Sequence, residues 1–290
     1  MSTTRSSEPG NPQPADAGPE SLGTLLERNG ASLPISERRH LAAHALDRTT
    51  AWVFAHEDHR PPAERAELLK ILLARRARGE PMAYLLGRRE FYGRDFEVSP
   101  AVLIPRPETE HLVEAALDVL PAGPARVVDV GTGSGCIALT LACERPDWHI
   151  VGTDIAGDAL AVAERNRDRL DCAHVRWHRT DLLDGVDGPF DAIVSNPPYV
   201  ASGDPHLDRG DLRFEPRTAL TDENDGLALI RRLVDQATER LVPGGWLWLE
   251  HGHDQAATVR ELLMTAGFEA VASRRDLAGI ERISGGRWSR

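Results

Sequence analysis

From residue 108 onward the chain alternates between two hydrophobic periods, and that alternation restricts its fold more than any other feature. Apolar runs of strand length at 127–130, 149–154, 175–180, 190–195 and 246–250 are interleaved with helical spacing at 108–120, 135–145, 157–170, 225–241 and 254–266. A long loop, 200–224, interrupts the series, and segments 268–275 and 280–288 read as a closing hairpin. Strands that alternate with helices predict an α/β fold built on a doubly wound, mainly parallel sheet. In such sheets ligands bind beyond the carboxyl ends of the strands. The residues that follow each strand therefore carry the functional argument.

Strand 190–195 runs into Asn196-Pro197-Pro198-Tyr199. Proline has no N–H for the ladder and forces extended geometry on the residue before it, so pairing stops there. Asn196 is expected at the strand end with its amide free. Asn and Pro are also ordinary turn residues. An amide, two carbonyls without competing N–H donors and an aromatic ring in one short segment favour ligand contact instead. Upstream, Gly131-Thr132-Gly133-Ser134-Gly135 follows the first strand and opens a helix, allowing a tight turn and close backbone approach to a ligand. A dinucleotide GxGxxG would need its third glycine at position 136, which is Cys136. That spacing argues against a nicotinamide dehydrogenase. Asp154 ends the second strand, 19 residues after Gly135, where an acid accepts from ribose hydroxyls or caps the helix behind it.

Asn-Pro-Pro-Tyr in this position resembles the motif of S-adenosylmethionine-dependent methyltransferases that act on amide or exocyclic amine nitrogens. Longer stretches narrow the resemblance to the HemK/PrmC family, protein-(glutamine-N5) methyltransferases of peptide chain release factors. These are Pro81-Met82-Ala83-Tyr84-Leu85-Leu86-Gly87, Glu90-Phe91-Tyr92-Gly93, Leu103-Ile104-Pro105-Arg106-Pro107-Glu108-Thr109-Glu110 and Leu249-Glu250-His251-Gly252. Asp204-Pro205-His206-Leu207 and Arg213-Phe214-Glu215-Pro216 match within the long loop, which should wall the substrate site. The resemblance implies a seven-stranded methyltransferase sheet preceded by a small helical bundle. It implies S-adenosyl-L-methionine as cofactor, held by Gly131, Thr132, Gly133, Ser134, Gly135, Asp154, Asp181, Leu182 and Asn196. Asn196, Pro197, Pro198 and Tyr199 would hold the substrate, with Asn196, Pro197 and Tyr199 catalytic. The implied partners are class I release factors, modified on the glutamine of a Gly-Gly-Gln tripeptide. Leu182 departs from relatives that carry an aromatic there, so apolar packing on adenine is expected rather than stacking. Asp129 is placed to orient the glycine loop or the methionine ammonium group.

An amide nitrogen is a poor nucleophile, and its proton is far too weakly acidic for a side-chain base near neutral pH. Proximity and alignment must then supply most of the acceleration. Asn196 Oδ1 and the Pro197 carbonyl can accept both N–H groups of a primary amide and aim its nitrogen, while Tyr199 covers its flat face.

Four regions are expected: a disordered tail at 1–20, a helical substrate-docking domain at 21–80, a hairpin linker at 81–107 and the methyltransferase domain at 108–290. The tail is Ser-, Pro- and Gly-rich. Leu22, Leu25 and Leu26, then Leu41, Ala45 and Leu46, then Leu68, Leu69, Leu72 and Leu73 recur at helical spacing and should form a bundle core. Arg75, Arg76 and Arg78 are either a solvated face or a dock for an acidic partner. Glu108 and Glu110 suit a helix N-terminus. The net charge of −11, of which −12 falls in 91–290, argues against direct nucleic-acid binding. It also weighs against the alternative acceptor of this motif, the amino group of adenine or guanine in nucleic acid. Three cysteines without CxxC spacing, no apolar run near the ~20 residues of a membrane span and no secretory pattern predict a cytoplasmic protein. His251 and His253 lack a third ligand at suitable spacing, so no metal is expected.

Overall fold

The computed structural model describes residues 20–289, so the tail expected at 1–20 lies, Glu20 aside, outside the described residues. The chain divides into two compact units between Leu86 and Gly87. The block expected as a linker, 81–107, is shared between them.

The first unit is helical. Helix α1 (Leu22–Gly30) starts where Ser21 Oγ accepts the Thr24 N–H at 3.3 Å. It is followed by α2 (Ile35–Leu46), α3 (Thr50–Ala55), α4 (Ala63–Ala77) and α5 (Met82–Leu86). Thr49 caps α3 by accepting the Trp52 N–H at 3.1 Å, and α4 begins behind Pro61-Pro62. Leu22, Leu25, Leu26, Leu41, Leu69 and Leu73 close the core. Leu68 does not join them and is 36% exposed. Consecutive helical residues stand about 100° apart, so Leu69, Leu72 and Leu73 use the inward face and turn Leu68 away. The basic cluster is largely spent inside the unit. Arg76 forks onto Glu37 at 2.7 and 2.9 Å, and Arg75 onto Glu80 at 2.8 and 2.5 Å.

The second unit opens with an antiparallel hairpin, β1 (Arg88–Phe91) and β2 (Arg94–Glu97). Its two-residue turn, Tyr92-Gly93, has φ of 51° and 74°, the double positive that suits the twist of a tight hairpin. The hairpin is tied to the sheet layer. Phe91 and Phe96 are buried in its core, and Glu110 Oε1 accepts the Tyr92 N–H at 2.9 Å. Glu110 opens α6, as expected of an acid at a helix N-terminus, and it holds the hairpin as well. Asn166 uses both ends of its amide. Its Oδ1 accepts the Glu97 N–H at 2.6 Å, and its Nδ2 donates to the carbonyls of Glu97 at 3.0 Å and Ser134 at 2.9 Å.

The sheet then forms from α6 (Glu110–Val119), β3 (Arg126–Val130), α7 (Cys136–Glu144), β4 (His149–Asp154), α8 (Gly157–Arg169), β5 (Arg176–Arg179), β6 (Phe190–Ser195), α9 (Ala228–Arg240), β7 (Leu241–Glu250), α10 (Ala256–Ala266), β8 (Phe268–Arg275) and β9 (Glu281–Trp288). Among the described residues it is a seven-stranded sheet in the order β5-β4-β3-β6-β7-β9-β8. β3 to β7 pair in parallel, and β9 joins β7 and β8 antiparallel. Alternate strand residues sort to opposite faces. Val127, Ala192, Val194 and Trp248 pack with α6 and α7. Val128, Ile193, Leu247 and Leu249 pack with α9 and α10. The order reverses between β3 and β6, which are paired through Val130 and Ser195. The loops leaving these two strands therefore lie side by side at a switch point, where a crevice opens. No helix among the described residues is long and apolar enough to cross a membrane.

Candidate active site

The loop after β3 is shaped by backbone demands. Gly131, Gly133 and Gly135 have φ of 73°, 55° and 81°, a region disfavoured for any residue with a β-carbon. A β-carbon on Gly131 or Gly133 would meet nothing within 4 Å, so ligand can reach the main chain there. At Gly135 it would stand 3.1 Å from Leu139 Cδ1 and 3.2 Å from the Trp177 ring, so this glycine serves helix packing. The N–H groups of Gly131 and Thr132 both donate to the Thr153 carbonyl at 2.8 Å. Asp129, wholly buried, accepts from Thr132 Oγ1 at 2.6 Å and the Ala138 N–H at 3.2 Å. Burial lifts its pKa to about 7 against those two bonds. Asp129 thus orients the loop. Ser134 is buried beneath it.

Asp154 closes β4 and stitches it to this loop. Its Oδ2 accepts the Gly133 N–H at 2.9 Å and its Oδ1 the Ala156 N–H at 2.9 Å. Each oxygen keeps a lone pair. Desolvation raises its pKa, opposed by these backbone bonds. Asp181, beyond β5, meets Arg232 Nη2 at 2.8 Å, and Leu182 beside it adopts φ 51°. Of the residues expected to hold the cofactor, all but Gly135 line one cavity of about 360 Å³.

Asn196 leaves β6 directly beside the glycine loop, with Pro197 buried and Pro198 on the cavity wall. Its amide is not wholly free as the sequence suggested: Nδ2 donates to Thr109 Oγ1 at 3.2 Å. Thr109 Oγ1 in turn donates to Glu250 Oε2 at 2.7 Å. The Tyr199 hydroxyl donates to Glu250 Oε1 at 3.1 Å. Thr109 and Glu250 are each 2% exposed. Desolvation lifts the Glu250 pKa to about 7 despite both hydroxyl donors, and it raises that of Tyr199 as well. Gln255 Nε2 holds the Tyr199 carbonyl at 3.0 Å. On the rim, Glu215 accepts the Ile104 N–H at 2.9 Å and pairs with Arg106, fastening the long loop to the segment before α6.

Sequence reasoning singled out neither Thr109 nor Glu250 for the site, though both stand in the matched stretches. The available signal was position: Glu250, like Asn196, ends a parallel strand at the ligand edge. His251 lies apart from this network. Its Nδ1 donates to the Gly252 carbonyl at 2.9 Å, and its Nε2 lies 2.7 Å from Ser284 Oγ. Burial lowers its pKa, so the neutral ring is a structural link.

The chain matches the Methyltransferase small domain family over residues 109–210 and the PrmC N-terminal domain family over residues 22–87. It is 55% identical over 258 residues to the release factor glutamine methyltransferase of Bordetella pertussis, covering 88% of this chain and 95% of that one. It is 43% identical over 265 residues to the Escherichia coli enzyme of the same name, covering 91% and 96%. Among solved structures it resembles a methyltransferase from Pyrococcus furiosus, with TM-score 0.54, 21% identity and coverage of 75% of this chain and 98% of that one. It also resembles the T. thermophilus 16S rRNA N2 G1207 methyltransferase in complex with AdoMet and guanosine, with TM-score 0.52, 18% identity and coverage of 69% and 49%. These two structural likenesses show the fold.

Proposed function

The chain belongs to the release factor glutamine methyltransferase family, and from that footing we propose how its residues methylate a glutamine side-chain nitrogen. The acceptor is the glutamine of the Gly-Gly-Gln tripeptide of class I peptide chain release factors, and the donor is S-adenosylmethionine. Bound in the cavity, the cofactor supplies a methyl group already activated on sulfonium. The chain supplies position. Gly131 and Gly133 let the cofactor approach the backbone, Asp154 offers its remaining lone pairs to the ribose hydroxyls, and Leu182 packs on the base beside Asp181. Thr132, Ser134 and Gly135 hold the loop in shape.

On the acceptor side, Asn196 Oδ1 and the Pro197 carbonyl accept the two N–H groups of the glutamine amide. Pro198 walls the slot, and Tyr199 covers the flat face of the amide. Held in line at ~3–3.5 Å, the neutral amide nitrogen would bond to the methyl carbon as the carbon–sulfonium bond breaks, leaving a neutral thioether. The nitrogen, made strongly acidic by its new bond, would then lose one proton to water, so no side-chain base is needed beforehand. The carrying observation is Asn196. Its Nδ2 is engaged by Thr109, and among the described residues its Oδ1 has no partner, beside the glycine loop. Two preceding glycines in the substrate would let its backbone reach the pocket mouth without side-chain clash. An enzyme of this kind works in the cytoplasm, where release factors act.

The test is incubation with labelled S-adenosylmethionine and the matching release factor, followed by mass spectrometry. One added methyl group on the Gly-Gly-Gln glutamine is expected. Label on adenine or guanine of nucleic acid, with the factor unmodified, would transfer the assignment to the amino-group methyltransferases. We assign docking of the protein substrate to the helical region, 21–80. With Arg75 and Arg76 paired internally, other parts of that surface must carry it. A protein truncated to begin at Gly87, which keeps the hairpin, should bind cofactor normally and methylate the full-length factor poorly. Equal activity with and without the helices would leave them a stabilising role.

A further inference from the structure

We propose that Glu250 and Thr109 are positioning residues that fix which end of the Asn196 amide faces the substrate, and that Glu250 also sets the Tyr199 ring. The inference rests on the reading of Asn196 as the acceptor-orienting residue and deepens it.

An asparagine amide has two ends of similar shape and opposite hydrogen-bonding sense. Turned through 180° about χ2, Asn196 would present NH₂ to a substrate that itself offers N–H groups, and the site would repel its acceptor. Thr109 decides the orientation. A hydroxyl has a single hydrogen, and that of Thr109 is given to Glu250 Oε2 at 2.7 Å. Toward Asn196 it can then only accept, which selects Nδ2, found at 3.2 Å. Oδ1 is left for the substrate. An ionised carboxylate has no hydrogen and must accept from every neighbour, so Glu250 fixes the sense of the Thr109 hydroxyl. Its other oxygen accepts the Tyr199 hydroxyl at 3.1 Å and ties the ring to the same anchor. One carboxylate therefore directs both arms of the acceptor site.

A glutamine in this place would not serve. It has one accepting oxygen and an NH₂ that must donate, so only one of the two hydroxyls could keep its direction. The carboxylate is costly: it is 2% exposed and, among the described residues, has no salt-bridge partner. The charges that act on it are Glu108, before α6, and Arg282, on β9, and they oppose one another. Burial lifts its pKa to about 7. A raised carboxyl pKa favours folding below the unfolded value and loses that contribution as pH rises through about 7. At pH 8 the ionised group is a cost to the fold, and a neutral amide should be no worse.

The experiment uses the full chain with Glu250→Gln, Thr109→Val and Thr109→Ser. The side-chain amide of Asn196 is followed by ¹⁵N NMR with S-adenosylmethionine bound. Turnover of a release factor and cofactor affinity are measured in parallel. Expected are a displaced or exchange-broadened Asn196 amide in Glu250→Gln and Thr109→Val, with the wild-type signal restored in Thr109→Ser. In the first two, kcat should fall at least tenfold while the cofactor Kd stays within about threefold, and Thr109→Ser should recover most of the rate. At pH 8 Glu250→Gln should melt no lower than the wild type. Below about pH 7 the wild-type kcat should fall as Glu250 takes a proton, and that step should vanish in Glu250→Gln. An unchanged Asn196 amide in both damaged variants, or a changed amide with unchanged kcat, would overturn the positioning role. If the wild type methylates no glutamine, the functional reading fails alone, and the NMR arm still decides whether Thr109 and Glu250 orient Asn196.

Discussion

The two loops that meet at the switch point are paired neighbours in one sheet, yet they are held by opposite means. The glycine loop after β3 is fixed locally. Its three positive φ angles, its two bonds to the Thr153 carbonyl and the Asp129 and Asp154 carboxylates all belong to adjacent strands or to the loop itself. The Asn-Pro-Pro-Tyr segment after β6 is fixed from afar. Its orientation comes from Thr109, 87 positions earlier, and from Glu250, 51 positions after Tyr199. The cofactor half is thus complete once β3, its neighbour β4 and the helix that follows are in place. The acceptor half exists only once α6, β6 and β7 are assembled.

Perturbations of the two halves should separate accordingly. The largest effect is expected from Asn196→Ala, which removes the acceptor-orienting group. By comparison with loss of one preorganised hydrogen bond at a transition state, kcat should fall about 10²–10³-fold. The cofactor Kd should move little, because the glycine loop does not depend on this side chain. Single-turnover kinetics beside calorimetry would check it, and normal turnover would end the proposed mechanism.

Asp154→Ala should show the converse. It strips the Gly133 and Ala156 amides of their acceptor and takes the ribose partner away, about 1–3 kcal/mol. Calorimetry should find S-adenosylmethionine binding weaker by roughly ten- to a hundredfold. An unchanged Kd would make the carboxylate a local cap alone. Gly133→Ala is the mildest of the three. The added β-carbon meets no protein atom, so its cost is that of φ 55° for a residue with a β-carbon together with one methyl group in the space through which the cofactor reaches the main chain. At about 1 kcal/mol this predicts several-fold weaker cofactor binding and an unaltered kcat at saturation. A large loss of kcat there would mean that the two halves are coupled.

The same division explains what the sequence disclosed. Strand and helix alternation, the proline stop after Ser195 and the GxGxG spacing are written in consecutive residues, and each appears where it was expected. Thr109 stood inside a matched stretch but looked like part of a helix start. Glu250 looked like strand-end structure. Neither residue type signals that two hydroxyls will converge on one carboxylate, because that requires three segments far apart in the chain. Leu68 failed for a related reason: four leucines at 68, 69, 72 and 73 exceed one helical face, and neighbouring helices decide which is left outside. Arg75 and Arg76 read as a positive patch because their partners, Glu80 and Glu37, could be paired with them only after folding.

The Asn166 amide links three things with one side chain: the end of the hairpin at Glu97, helix α8 and the carbonyl of Ser134 in the glycine loop. The Glu97 N–H can reach solvent only when that link opens. Its rate of hydrogen–deuterium exchange should therefore act as a clock for the loop, slowing when cofactor is bound although the amide itself touches no ligand.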